Sequence, residues 1–194
     1  MTELDLTLSP EHPTPADVTA SGDRRHGASV ADVDLRRLMR AIAQPVAVLT
    51  GRDVHGAPWG MTVSSFTCVS LDPPLVAVSV ARRSRAWSSI APTGRFVLSA
   101  LAVGQETVAE RFAAPSTAFP SAHASRFTVD GMPVVDGGVG AARCSIRDVH
   151  PGGDHDVVIA RVERVRLGGD GRSLAYTRGG YASVDNLEEE PCPR

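Results

Sequence analysis

Apolar positions along this chain come mostly in short runs of strand length. Val46-Ala47-Val48-Leu49-Thr50 is one, opened by Pro45, and Leu75–Val80 reads as a strand of the buried type. Trp59–Phe66, Thr67–Leu71, Phe96–Leu101, Ala141–Arg147, Asp156–Val165 and Leu174–Thr177 also read as strands. Turn residues separate them. Gly56 lies in the Asp53–Pro58 turn, Asp72-Pro73-Pro74 cannot continue a sheet, and His150–His155 divides two strands. Helical spacing is rarer. Leu35, Leu38, Met39 and Ile42 recur on one side of a predicted helix that Asp32 or Asp34 could cap. Gln105–Phe112 puts Val108, Ala109 and Phe112 on one side, and Arg85–Ile90 has room for one or two turns before Pro92 and Gly94. Ala113–Ser125 has no regular period. The pattern predicts a mainly β protein with a few helices, a closed β-barrel with helical decoration.

Composition narrows this further. The chain has 194 residues and a formal net charge of -2, enough length for a sizeable core and no bulk positive charge to recruit nucleic acid. No apolar run reaches the roughly 18–20 residues that span a bilayer, and MTELDLTLSPEHPTP lacks the apolar centre of a secretory signal. Residues 1–30 read as a flexible arm, 31–185 as the folded domain and 186–194 as an acidic tail. Cys68, Cys144 and Cys192 have no close pairing, which suits reduced thiols in the cytoplasm, with Cys68 and Cys144 as core packing.

Candidate chemistry concentrates in Gly60–Ser89. Thr62, Ser64 and Ser65 place hydroxyls where a core strand would carry carbon, and Arg82-Arg83-Ser84-Arg85 offers anion donors at a strand exit. A planar, polar-edged ligand with a phosphate tail would suit both. The bland alternatives are a half-exposed strand and a solvated basic turn. Neither a G-x-x-x-x-G-K-[ST] loop nor a dinucleotide fingerprint is present; Gly138-Val139-Gly140 precedes a strand-like run. In Gly153-Asp154-His155-Asp156, His155 could bond a carboxamide or phosphate, or could simply sit in a capped surface turn. Asp154 and Asp156 with His150 match no standard metal spacing. Tyr181, after Arg178-Gly179-Gly180, could cover a ring or close the barrel core.

Taken in order, these segments resemble the flavin reductase components of two-component monooxygenases, the FMN-binding split-barrel family. Its pattern is matched by Gly60–Phe66 (G-x-T-x-S-S-F), Val69–Leu75 (V-S-L-x-P-P-L), Arg83-Ser84, Gly94–Leu101, Gln105–Phe112, Gly131–Val134 and Gly153-Asp154-His155, over about Leu35–Tyr181. The resemblance implies a homodimer of split β-barrels that reduces free FAD or FMN with NADH. The flavin exchanges as a substrate, is reduced by hydride transfer, and diffuses to a partner monooxygenase. It further implies that Thr62, Val63, Ser64 and Ser65 line the isoalloxazine, that Ser79, Val80 and Ala81 present backbone groups to the ring edge, and that Arg82, Arg83 and Ser84 meet the phosphate. Phe112 would pack near the flavin. His155 would position the nicotinamide, with Tyr181 close by. Many relatives carry Ala-Asn where this chain has Val63-Ser64. Two alternatives remain on the same fold: a flavoprotein that keeps its flavin and acts directly on an organic substrate, and a non-enzymatic flavin- or haem-binding module.

Overall fold

The computed structural model of the chain describes residues 32–114, 128–129, 131–169 and 171–183. The expected arm and tail, and most of the irregular segment Ala113–Ser125, lie outside the described residues. The chain divides into two compact units, Met1–Arg36 and Arg37–Arg194. Of the first, only the opening residues of helix α1 (Asp32–Ala41) are described. The site belongs to the second.

Among the described residues twelve strands follow α1: β1 (Gln44–Pro45), β2 (Ala47–Arg52), β3 (Pro58–Val63), β4 (Phe66–Leu71), β5 (Pro74–Ala81), β6 (Arg95–Ala100), β7 (Thr128–Val129), β8 (Met132–Pro133), β9 (Gly140–Gly152), β10 (His155–Leu167), β11 (Leu174–Thr177) and β12 (Gly180–Ser183). Helix α2 (Arg85–Ile90) lies between β5 and β6, and α3 (Glu106–Ala113) follows β6. Seven strands form an antiparallel sheet in the order β3-β2-β6-β9-β10-β5-β4; β1-β11-β12 and β7-β8 form two smaller sheets.

β2 is buried from Ala47 to Gly51 because both of its faces are covered. Ala47 and Leu49 enter a core with Val78, Val80, Trp87, Phe96 and Val158. Val48, on the other face, joins Leu101, Ala109, Phe112 and Leu174. β3 and β4 end the sheet order, yet Val63 and Phe66 pack on the same core, so the sheet curls round it. Thr50 and Ser99, the buried polar residues among those described, are both hydrogen-bonded. Thr50 Oγ1 donates to the Pro133 carbonyl at 2.6 Å, and Ser99 Oγ accepts from the Val135 N–H at 3.2 Å. Both bonds pin the 132–135 segment to the central strands.

Four expectations change. The predicted strand Trp59–Phe66 breaks at Ser64-Ser65, because Ser65 turns to bond Ser79: the Ser79 N–H donates to the Ser65 carbonyl at 3.0 Å and Ser65 Oγ donates to the Ser79 carbonyl at 2.7 Å. His150–His155, expected as a connection, is mostly strand. β9 and β10 form one long hairpin closed at Gly153-Asp154, where Gly153 takes φ 74°. Cys68, expected in the core, is exposed on strand β4 at the sheet end, whereas Cys144 is buried. The apolar positions of the first helix, Leu35, Leu38, Met39 and Ile42, are between 45% and 59% exposed.

Candidate functional site

β3 pairs with β2 alone among the described residues, so alternate backbone groups on its outer edge lack a strand partner. Its side chains alternate. Trp59, Met61 and Val63 pack on the main core, while Gly60 and Thr62 turn toward α3. Thr62 Oγ1 donates to the Ala109 carbonyl at 2.6 Å. Gly60 lies so close to Phe112 that a Cβ there would stand 2.6 Å from the ring. Only glycine admits that contact.

Along this edge runs a cavity of about 330 Å³, lined by Gly60, Met61, Thr62, Ala81, Arg83, Ser84, Arg85, Ala86, Phe112, Ala113 and Ala114. Its volume falls in the range of small-ligand sites, roughly 300–1,000 Å³. Part of the lining is apolar, from Met61, Phe112 and the alanines, and part is polar, from Arg83, Arg85 and the Ser84 hydroxyl. Ser84 caps α2 by accepting the Trp87 N–H at 3.2 Å, and its own hydroxyl faces Met61 Sδ at 3.4 Å. Thioether sulfur is a poor acceptor, so that proton can turn to a better one.

Arg82 points elsewhere. Its Nε meets Asp156 Oδ1 at 3.2 Å, its N–H donates to the Asp154 carbonyl at 3.1 Å, and Asp156 Oδ2 also accepts the Trp87 indole N–H at 3.1 Å. The β9–β10 turn therefore abuts the exit of β5, with His155 opposite Ala81 in the ladder. His155 Nδ1 lies 2.8 Å from Asp154 Oδ1. That hydrogen bond, with the His155 and Arg83 charges, holds the Asp154 carboxyl below its ordinary range. Tyr181 packs edge-on to Tyr176 with centroids 5.4 Å apart. Burial, followed by the Glu110 charge, pushes the Tyr181 phenol up. Among the described residues, no group of three or more His, Cys, Asp or Glu side chains is placed to hold a metal ion.

Residues 39–185 match the family described as flavin reductase like domain. The chain belongs to this family. It is 39% identical over 147 residues to a probable flavin reductase of Rhizobium meliloti, covering 76% of this chain and 47% of that one. It is 32% identical over 174 residues to the reductase subunit of a flavin-dependent monooxygenase from Rhodococcus jostii, covering 86% and 87%. The chain thus spans about half the length of the first relative and most of the second. A solved NADH:FAD oxidoreductase of Streptomyces globisporus, in complex with NAD and FAD fragments, aligns with a TM-score of 0.74 and 28% identity over 81% of this chain and 94% of that one.

For a flavin reductase-like protein the cavity has the right chemistry: an apolar slot for a ring, unpartnered strand edge for polar ring atoms, and arginine with serine for phosphate. Of the residues singled out from sequence, Thr62, Ala81, Arg83, Ser84 and Phe112 line it together. The others stand around it. Val63 and Val80 are buried in the main core, leaving only their backbone for a ligand. Ser64 is half-buried in the β3–β4 link. Ser65 and Ser79 bond each other, which commits the Ser79 N–H. By the two-residue repeat of a strand, the Ala81 N–H points the same way, toward β3. Arg82 is held by Asp156, His155 sits one ladder partner away, and Tyr181 packs in the cluster that contains Phe112.

The lining also includes Gly60, Met61, Arg85, Ala86, Ala113 and Ala114, which the site assignment from sequence had missed. Arg85 was legible as the fourth member of the basic run. Gly60 and the alanines announce nothing alone; their role is to leave space.

Proposed function

We propose that the chain is an NAD(P)H:flavin oxidoreductase, using NADH to reduce free FAD or FMN and supplying reduced flavin to a separate monooxygenase. The observation that carries this is the convergence of Thr62, Phe112, Arg83 and Ser84 on one cavity of about 330 Å³, from segments 50 residues apart in sequence at the extremes (Thr62 to Phe112). Flavin reductases and monooxygenase reductase subunits among its relatives support the reaction class and the partner. The NAD and FAD fragments bound to the Streptomyces globisporus structure support the pairing of substrates.

A bound flavin supplies the hydride acceptor, so the chemistry needs no protein nucleophile. The chain's own residues bind and orient. Phe112 and Met61 form the apolar wall against a ring, and the edge of β3 with the Ala81 N–H meets polar ring atoms. These fixed donors need no reorganisation when negative charge develops. Arg83, Ser84 and Arg85 hold the phosphate. Asp154 accepts from His155 Nδ1, which leaves Nε2 to meet a carboxamide on the nicotinamide side.

We further infer that the sheet closes as a split barrel and that two copies associate. The apolar groove lined by Phe66, Val76, Leu98, Val165 and Leu167, of about 240 Å³, supports a self-association surface. A cytoplasmic setting suits the reading; among the described residues, no helix is long and apolar enough to cross a membrane.

The test follows NADH absorbance in purified protein without flavin, then with FMN, then with FAD. Loss that requires added flavin and turns over many equivalents supports a diffusible-flavin reductase and gives its preference. Flavin retained through purification with no stimulation by added flavin points to a dedicated flavoprotein. No loss under any condition rejects the reductase.

A further inference from the structure

Asp156 is neither in the cavity nor among the residues singled out for the site, yet it receives two donors from the loop that forms the cavity's cationic wall. Its Oδ1 takes Arg82 Nε at 3.2 Å and its Oδ2 takes the Trp87 indole N–H at 3.1 Å. Arg82 and Trp87 bracket Arg83, Ser84, Arg85 and Ala86, four consecutive residues that line the cavity. The carboxylate is mostly buried, its side chain 18% exposed, and Trp87 is 4% exposed in the main core. One rigid anchor on β10 thus grips the loop at both ends. Drawing Arg82 to Asp156 also removes one of three neighbouring arginines from the cavity and leaves Arg83 and Arg85 facing it.

Resting on the flavin reading above, we propose that Asp156 is a positioning residue that sets the Arg83–Ala86 segment, the entry to helix α2, in its phosphate-binding form. It acts through Arg82 and Trp87 and touches no substrate. A charged acceptor bonding two donors at once is worth more than two neutral bonds, and its loss loosens the segment at both flanks.

The prediction separates phosphate recognition from fold. Binding is read by flavin fluorescence titration without NADH, using FMN and riboflavin, which differ by the phosphate. Asp156→Asn keeps an acceptor for Trp87 and removes the negative charge that faces Arg82. It is expected to weaken FMN about tenfold and to leave riboflavin within about twofold. Trp87→Phe removes the indole N–H while keeping an aromatic ring in the core, and is expected to weaken FMN selectively too. It carries the test if Asp156→Asn fails to fold. Folded variants that bind FMN like the unsubstituted protein, or that lose FMN and riboflavin equally, overturn the positioning role alone. An unsubstituted protein that binds neither flavin, and oxidises no NADH when flavin is added, overturns the flavin reading and this role with it.

Discussion

Thr62 Oγ1 donates a 2.6 Å hydrogen bond to the carbonyl oxygen of Ala109, 47 residues on, and so fastens the cavity edge of β3 to helix α3. The donor proton is thereby spent inside the protein. Toward a ligand the Thr62 oxygen acts as an acceptor, suited to a ring N–H and not to a carbonyl. Thr62→Val keeps the shape and removes both functions. The expected outcome is a loss of about 1 kcal/mol in unfolding free energy, read by denaturant titration. A raised KM for flavin with little change in the KM for NADH should accompany it. An unaltered flavin KM in the Thr62→Val variant would remove Thr62 from the site.

Gly60 and Phe112 make a second such pair. A Cβ on residue 60 would stand 2.6 Å from the Phe112 ring, so Gly60→Ala must push the ring toward the cavity or strain β3. Overpacking of this kind costs about 1–3 kcal/mol. Flavin affinity should fall with it. Combining Gly60→Ala with Phe112→Leu should recover part of the stability, since the second change removes the atoms in conflict. Additive effects in that double-mutant cycle would show that the ring does not govern residue 60.

Much of this arrangement was legible in the chain. Val46–Thr50 is largely apolar because neighbours cover it on both sides, and in Leu75–Val80 the positions Val76, Val78 and Val80 face the main core. Thr62 was legible as a hydroxyl on a strand and Arg83 and Ser84 as anion donors at a strand exit, whereas Phe112 came to the site only through the family resemblance. The β9–β10 hairpin was not, because its outer half is exposed and carries Pro151 and Gly152, residues that normally mark the end of a strand. The break at Ser64-Ser65 depends on a partner, Ser79, that lies 14 residues from Ser65. Asp156 carried no site assignment from sequence, because the partners of its carboxylate, Arg82 and Trp87, lie about 70 residues earlier in the chain. Long-range pairing decides each of these, and local pattern does not report it.

Cys144 yields a prediction about alkaline pH. Burial is the main cause, with the Glu163 charge second, that pushes its thiol from an ordinary 9.0 up to about 12. A raised folded-state value means that the stability associated with this group is complete below about pH 9 and is lost as pH climbs toward 12. Alkylation mapped by mass spectrometry at pH 8 should therefore modify exposed Cys68 and spare Cys144. Denaturant should release Cys144 to the reagent. Cys144→Ala or Cys144→Val should flatten the fall in stability above pH 9. Equal labelling of both thiols in the native protein would contradict the burial.

His155 is the residue whose role kinetics can decide most directly. It sits opposite Ala81 in the β5–β10 ladder, next to the cavity without lining it, and Asp154 fixes its ring. Under the proposed function it orients the nicotinamide. His155→Ala should raise the KM for NADH several-fold, about 1 kcal/mol for one lost hydrogen bond, while the flavin KM stays nearly constant. The same change should free Asp154. Its carboxyl is now held low chiefly by the His155 hydrogen bond. The stability linked to Asp154 is present above its unfolded value of 3.8 and is lost only as pH falls through the lower folded value. In His155→Ala the Asp154 titration, followed by carboxyl NMR, should move back up toward 3.8. An upward-moved Asp154 with an unchanged KM for NADH would leave the hydrogen bond real and the nicotinamide role refuted; an unmoved Asp154 would refute the bond itself.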